Sequence, residues 1–233
     1  NPFFKKYRGT VISFSGMFIC AMLISPAASA QGTAARSSIA YQAPVKSVKM
    51  SMAEYQDRVE GVWVAQMAAA IMGFRFEHHT ASVEWVDQLP KPMTSAPVDD
   101  DWYYEMVAIR AFEKYGVNMT LDQLGAQWVE NSAGTWGSSE QALLLMKRGI
   151  KAANAGHPRY NRLWFTIGPQ FSADVYGDLS PGMPNLAAAM ARKYGHINGY
   201  AEAVDGGVFV AGMVSMGFYD KNPAAWTAIE QLR

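Results

Sequence analysis

Residues 99–116 read DDDWYYEMVAIRAFEKYG, and this stretch predicts a helix with clear signals at both ends. The acidic residues at its start favour a helix N-terminus, where unpaired backbone N–H groups attract negative charge. Gly116 stands where helices commonly end, because glycine adopts the left-handed conformation of that position without strain. The stretch therefore predicts a helix that begins at Asp99–Asp101 and ends at Tyr115.

The sequence on both sides predicts further helices. Ser51 and Glu54 have the spacing of a capping box, and apolar residues recur at threes and fours from there to Phe74, in a first helix that ends with Glu77. Other helices are expected from Thr120, from a cap at Ser138/Ser139 to Gly149, over 184–194, over 201–219 and from Pro223.

Evidence for strands is thin. Residues 162–176 are the best candidate, but Pro169 interrupts them. We therefore predict an all-α protein with long irregular loops at 78–98 and 154–182, and loops of that length are commonly functional or poorly ordered.

The N-terminal segment has the pattern of an export signal. Basic residues within 5–8 precede an apolar run over 11–24, and small residues follow over 28–30. The run is about fourteen residues long, shorter than the ~20 that a membrane-spanning helix needs, so a cleaved signal is favoured over a membrane anchor. We expect cleavage near Ala30/Gln31 and a periplasmic or secreted protein. The expected organisation is a signal peptide over 1–30, a flexible lead-in over 31–50 and a helical domain over 51–233.

Composition excludes several classes of protein. The single cysteine, Cys20, excludes a disulfide framework and Cys-x-x-Cys zinc sites, and it lies inside the apolar run. The chain has 20 basic and 20 acidic residues, and without the three basic residues of the signal the balance is 17 to 20. This mildly acidic balance predicts no nucleic-acid partner.

Three consecutive carboxylates, Asp99, Asp100 and Asp101, are the main chemical signal. Their repulsion requires compensation, either by water and the helix N-terminus or by a hard cation such as Mg²⁺ or Ca²⁺. On the triplet alone the solvated helix cap is favoured, because acids are common in first turns. Glu105, one turn on, either orients a ligand or is a surface acid. Glu77, beside an arginine, has the pattern of an ordinary surface pair.

The order of these features resembles the ADP-ribosylglycohydrolase family. Residues 57–61 (DRVEG) and 71–77 (IMGFRFE) resemble the family's first helix, in which Asp-Arg-x-x-Gly runs into Gly-Asp-Ala-Leu-Gly-x-x-x-Glu. Residues 99–106 (DDDWYYEM) resemble its acidic helix start, Gln-Asp-Asp-x-Tyr-x-Glu-Met, and residues 201–203 (AEA) before a helix rich in small residues are also similar. The resemblance covers roughly residues 55–230.

The resemblance implies a multi-helix orthogonal bundle around a site for two Mg²⁺ ions. It implies hydrolysis of an N- or O-glycosidic bond in a small-molecule or protein-linked glycoside. Asp99, Asp100 and Asp101 would be the metal ligands of one half-site, and Glu77 and Asp100 the catalytic residues. Neither nucleic acid nor a stable membrane span is expected after signal cleavage.

Substrate-binding residues are also implied by the resemblance. Residues 168–171 (GPQF) stand in place of the family's Gly-Asn-Gly loop, and His196 lies near the place of its Thr-His pair, so Gly168, Gln170 and His196 are the implied substrate contacts. The family's second metal cluster, Asp-x-Asp-Thr/Ser on a C-terminal helix, has no counterpart before Arg233. Either the sequence is a fragment of a longer protein or the second metal half-site is lost, and we favour a C-terminal truncation.

Two other interpretations stay open. Ala70 replaces the aspartate of the family's first motif, and the Gly-Asn-Gly loop is altered, so the chain could be a secreted, non-catalytic module that binds a nucleotide sugar or glycan on the same fold. In the simplest interpretation the domain acts outside the cytoplasm and Asp99–Asp101 only cap a helix.

Overall fold

Helices are the regular elements of the part of the chain that the structure describes. The structure is a computed structural model, and it describes residue 47 and residues 49–77, 99–131 and 135–219, all within one compact unit. The helices are α1 (Met52–Gly73), α2 (Asp100–Tyr115), α3 (Leu121–Asn131), α4 (Gly137–Lys147), α5 (Ala152–Ala155), α6 (Gly168–Phe171), α7 (Asp174–Asp178), α8 (Pro184–Gly195) and α9 (Glu202–Gly217). Over these residues the prediction of an all-α protein is confirmed.

Several sequence predictions lie outside the described residues. They are the signal peptide over 1–30, almost all of the lead-in, the loop over 78–98 and the helix from Pro223. Within the described ranges, no helix combines the length and the apolar character needed to cross a bilayer.

Local chemistry sets the helix ends in the first half of the domain. The Ser51 hydroxyl accepts a hydrogen bond from the Glu54 backbone N–H at 3.1 Å, as the capping box predicts. Thr120 and Gln123 cap α3 reciprocally, since each side-chain oxygen accepts the other's backbone N–H at 3.2 and 2.8 Å. Gly116 ends α2 with φ +73°, which a residue with a Cβ rarely adopts.

α1 ends sooner than predicted. It stops at Gly73, and a 3₁₀ turn over Phe74–Phe76 carries the chain to Glu77, which caps that turn in an extended conformation. Glu77 therefore follows the helix instead of ending it.

The predicted cap of α4 at Ser138/Ser139 is wrong. The helix begins at Gly137, whose φ of +53° turns the extended chain at Trp136 into the helix before either serine is reached. Both serines are buried in the first turn, and the Ser139 hydroxyl instead accepts a hydrogen bond from the Asn198 side chain at 3.0 Å.

The irregular loop predicted over 154–182 is confirmed for residues 156–167, which form turns and bends, and is wrong for α6 and α7 after them; residues 162–176 form no strand, in agreement with the all-α prediction. The segment contains α6 and α7, and Pro169 lies in the first turn of α6, where its missing N–H leaves no hydrogen bond unmade. Helices of four or five residues are not stable alone. Packing of both against α9 stabilises them, and this contact has no local sequence signal.

An aromatic core holds α7 against α2. The Tyr176 ring on α7 meets the Phe112 ring of α2 edge-on at 6.4 Å and stacks on the Tyr194 ring of α8 at 5.4 Å. Two turns earlier on α2, Tyr104 stacks on Trp128 of α3 at 4.2 Å. The other four rings are buried and that of Phe112 is partly buried against them, so these contacts hold α7 against α2.

Candidate metal centre

The three consecutive aspartates at the start of α2 converge. Asp99 is the N-cap residue in an extended conformation, and its Oδ1 accepts the backbone N–H of Asp101 at 3.0 Å. This bond folds the Asp99 side chain back over the first turn, so the three do not diverge as they would in mid-helix. One carboxylate oxygen from each of Asp99, Asp100 and Asp101 lies within 4.8 Å of the other two. We call these residues the outer aspartates.

Burial and mutual repulsion disfavour negative charge on the outer aspartates. Burial first, then Asp99 and Glu77, raise the pKa of Asp100 to about 6, although a backbone N–H partly offsets the rise. Burial, then Asp99, Asp100, Asp174 and Glu77, raise the pKa of Asp101 to about 7. No basic side chain of the described residues lowers either pKa. A cation near these carboxylates would favour their charged form.

Glu77 lies at the margin of this group. Its carboxylate is close enough to raise the pKa of both Asp100 and Asp101, and the residue is exposed. The packing of α1 against α2 brings it there. The structure thus places Glu77 beside the outer aspartates, while its catalytic role stays a prediction.

A second group of carboxylates lies one turn further along α2, and sequence reasoning missed most of it. Glu105 of α2 and Asp174 and Asp178 of α7 face one another where these helices pack, and we call them the inner carboxylates. Glu105 is 1% exposed and Asp178 is 5% exposed. The only sequence signal for this group was the four-residue spacing of Asp174 and Asp178, which places both side chains on one face of a helix. The sequence predicted a loop over these residues, and in a loop that spacing has no structural consequence.

The inner carboxylates are held mainly in a low-dielectric environment. Burial raises the pKa of Asp174 to about 6, and burial with the Asp174 charge raises that of Asp178 to about 7. Burial, Asp174 and Asp178 raise the pKa of Glu105 well above its ordinary value, against a hydrogen bond from Gln66 Nε2 to its Oε1 at 3.2 Å and the influence of the Asp174 backbone N–H. The Trp63 indole partly offsets the rise at Asp178, in a geometry that falls short of a hydrogen bond.

Four oxygen atoms of this inner region have no hydrogen-bond partner. They are Oε2 of Glu105, Oδ1 and Oδ2 of Asp178, and Oε1 of Gln66. Tyr104, 1% exposed, adds a buried hydroxyl without a hydrogen-bond partner. Burial and then the Asp100 charge raise its pKa, and the Ser139 hydroxyl, in a geometry that falls short of a hydrogen bond, partly offsets the rise. Buried polar atoms without partners are uncommon in folded proteins and require an explanation.

No protein-family model, curated protein or solved structure gives a significant match to this chain.

The residues predicted to bind substrate lie on α6 and at the end of α8. Gly168 is buried, and a Cβ there would lie 2.6 Å from both the Asn198 amide nitrogen and the Ser138 hydroxyl, so close packing requires glycine at this position. The side chain of Gln170 lies against Gly206 of α9, where any Cβ would collide with it. α6 lies beside α2, since the Phe171 ring is 6.1 Å from that of Tyr104.

The His196 imidazole contacts the backbone of its own helix and a nearby aromatic ring. Its Nδ1 lies 2.6 Å from the Arg192 carbonyl oxygen, and its ring meets Tyr200 edge-on at 5.5 Å. These contacts orient the imidazole at the end of α8. Its role in substrate binding, like those of Gly168 and Gln170, stays a prediction.

Proposed function

We propose that the protein is a Mg²⁺-dependent hydrolase of N- or O-glycosidic bonds, with an orthogonal helical bundle like that of ADP-ribosylglycohydrolases. The observation that carries the proposal is the approach of the three outer aspartates to within 4.8 Å of one another. Their only described charged neighbours that affect Asp100 and Asp101 are further acids. Clustered carboxylate oxygens are the ligands that hard divalent cations prefer.

The donor set fits Mg²⁺, because all of the converging atoms are carboxylate oxygens at the open end of a helix. Asp99, Asp100 and Asp101 would hold the ion, which when bound supplies Lewis-acid and templating chemistry for a sugar and its leaving group. Glu77, exposed at the margin of the outer aspartates, has a carboxylate placed to orient or deprotonate a reactant. The charges of Asp99 and Glu77 both raise the pKa of Asp100. Asp100 is the second acid of the proposed reaction.

Calorimetric titration of the full chain with Mg²⁺ tests the metal assignment. Asp100→Ala and Asp101→Ala are each expected to weaken binding by at least ~10-fold. Glu113→Ala, which removes an exposed carboxylate from the same helix, is the matched control and should bind like the unaltered protein. Unchanged binding in both aspartate variants contradicts the assignment. Turnover of ADP-ribosylated protein and of synthetic glycosides then tests the reaction.

Export of the protein bears on which glycoside is its substrate. The basic residues at 5–8, the apolar run over 11–24 and the small residues over 28–30 favour a protein that acts outside the cytoplasm. ADP-ribose chemistry is mostly intracellular, so the glycoside is proposed to be a different small-molecule or protein-linked one. N-terminal sequencing of the extracytoplasmic protein should begin near Gln31, and recovery of an uncleaved chain from the cytoplasm would contradict export.

A second candidate function is a secreted, non-catalytic module that binds a nucleotide sugar or glycan. Two departures from the family motifs favour it: Ala70 stands in place of an aspartate, and residues 168–171 (GPQF) stand in place of the Gly-Asn-Gly loop. Metal-dependent turnover of any glycoside would exclude this candidate.

A further inference from the structure

The inner carboxylates, together with Asp101 of the outer aspartates, form two pairs of acids on helices α2 and α7. Asp101 and Glu105 are one turn apart on α2, and Asp174 and Asp178 are one turn apart on α7. Residues four apart on a helix share a face, and the Phe112–Tyr176 contact fixes the two helices against each other. Asp174 acts on both groups, because its charge raises the pKa of Asp101, Glu105 and Asp178.

The unpartnered atoms of Glu105, Asp178 and Gln66 are all acceptors. Glu105 Oε2 and both Asp178 oxygens are carboxylate oxygens, and Gln66 Oε1 is an amide oxygen. Burying such groups without partners costs free energy, and removing water from a carboxylate costs most. One cation satisfies several oxygens together, including the amide oxygen, which cannot be satisfied by taking up a proton itself.

We propose that Glu105, Asp174 and Asp178, with the amide oxygen of Gln66, form a second site for a hard divalent cation such as Mg²⁺ or Ca²⁺. The site is separate from the outer aspartates and does not depend on the proposed hydrolase activity. Among the described residues only the outer aspartates bring three carboxylate oxygens within 4.8 Å of one another. An ion in the inner site therefore either keeps water in its coordination shell, as Mg²⁺ commonly does, or draws the two helices' side chains inward.

The number of bound ions tests the proposal. Calorimetric titration of the full chain with Mg²⁺, and separately with Ca²⁺, should give two equivalents for the unaltered protein. Glu105→Gln and Asp178→Asn should each lose one equivalent and retain the other. Asp100→Ala should show the converse loss, and Glu113→Gln on the exposed side of α2 should retain both.

Terbium luminescence locates the inner ion, because Tb³⁺ binds hard oxygen sites and is excited by nearby indoles. Trp63 lies beside the Asp178 carboxylate, so Trp63→Phe should remove most of the emission that Asp178→Asn also removes. Trp136, exposed on the turn into α4, gives the matched control Trp136→Phe, which should keep that emission. Saturating Mg²⁺ should also raise the melting temperature of the unaltered protein more than that of Asp178→Asn.

The outcomes separate this inference from the proposed function. A single equivalent that Asp100→Ala abolishes and both inner variants retain overturns the inner site, leaves the outer one standing and assigns protons to the inner carboxylates. A single equivalent lost in Glu105→Gln and Asp178→Asn but kept in Asp100→Ala supports the inner site and removes the metal from the proposed function. If one inner variant fails to fold by circular dichroism, the other decides.

Discussion

The carboxylate of Asp174, in the first turn of α7, faces that of Asp101, in the first turn of α2, and raises its pKa. The two residues are far apart in the chain, and the tertiary contact between α2 and α7 brings them together. Asp174 also raises the pKa of Glu105 and Asp178, so it links the outer aspartates to the inner carboxylates. The outer aspartates and the inner carboxylates are therefore adjacent groups whose charges interact through Asp174.

Replacing Asp174 with asparagine removes the charge that both groups share. In EDTA at pH 8 we expect Asp174→Asn to raise the melting temperature by about 2–4 °C, because a buried negative charge is lost without a change of shape. Thermal unfolding followed by circular dichroism measures the effect, with Glu113→Gln as a surface control. A lower melting temperature for Asp174→Asn would show that its carboxylate makes a stabilising interaction in the metal-free protein.

The raised pKa values predict an unusual dependence of stability on pH. The pKa values of Asp100 and Asp174 are about 6 and those of Asp101 and Asp178 about 7, against an ordinary value of 3.8. Between about pH 4 and pH 7 the folded protein thus binds more protons than the unfolded chain, so its stability falls as pH rises and stays lower above pH 7.

Thermal melts of the metal-free protein between pH 4.5 and 8.5 measure this dependence. We expect a higher melting temperature at pH 5 than at pH 8, and saturating Mg²⁺ at pH 8 should recover most of the difference, because the cation replaces the protons. A melting temperature that is constant or increases from pH 5 to pH 8 would mean that these carboxyls ionise without cost.

Glu77 is expected to act in turnover and not in metal binding. Glu77→Gln keeps the shape of the side chain but cannot accept a proton, so kcat should fall by about 10²–10⁴-fold. Its Mg²⁺ affinity in calorimetry should stay close to that of the unaltered protein. Glu60→Gln, an exposed change on the neighbouring helix α1, should retain full turnover. Retention of kcat in Glu77→Gln would exclude Glu77 as the general base.

Two glycines should respond to alanine in opposite directions. A Cβ at Gly156 would lie 2.5 Å from backbone atoms of Gly199 and His196, so Gly156→Ala should lower the free energy of unfolding by about 1–3 kcal/mol. Gly61 is exposed within α1, and a Cβ there would meet nothing within 4 Å, so Gly61→Ala should raise that free energy by about 0.5–1 kcal/mol. Urea unfolding measures both, and equal effects in the two variants would contradict the packing around Gly156.

Much of the helical architecture could be predicted because its signals are local. Ser51, Gly116 and the Thr120–Gln123 pair act through hydrogen bonds or backbone angles within a few residues, and the structure places these ends where the sequence indicated. The outer aspartates belong to the same class, since three consecutive residues at a helix start lie close together however the rest of the chain folds.

The inner half of the centre was decided by tertiary structure alone. α6 and α7 are too short to be stable by themselves, so their helical state depends on packing against α9, and the pairing of Asp174 with Asp178 has meaning only once that helix exists. Burial of Glu105 likewise depends on what α7 and Gln66 bring against it. Local hydrogen bonds and backbone preferences depend on neighbouring residues, so the sequence predicts them. The burial of a charged side chain depends on segments that are distant in the chain, so only the tertiary structure determines it.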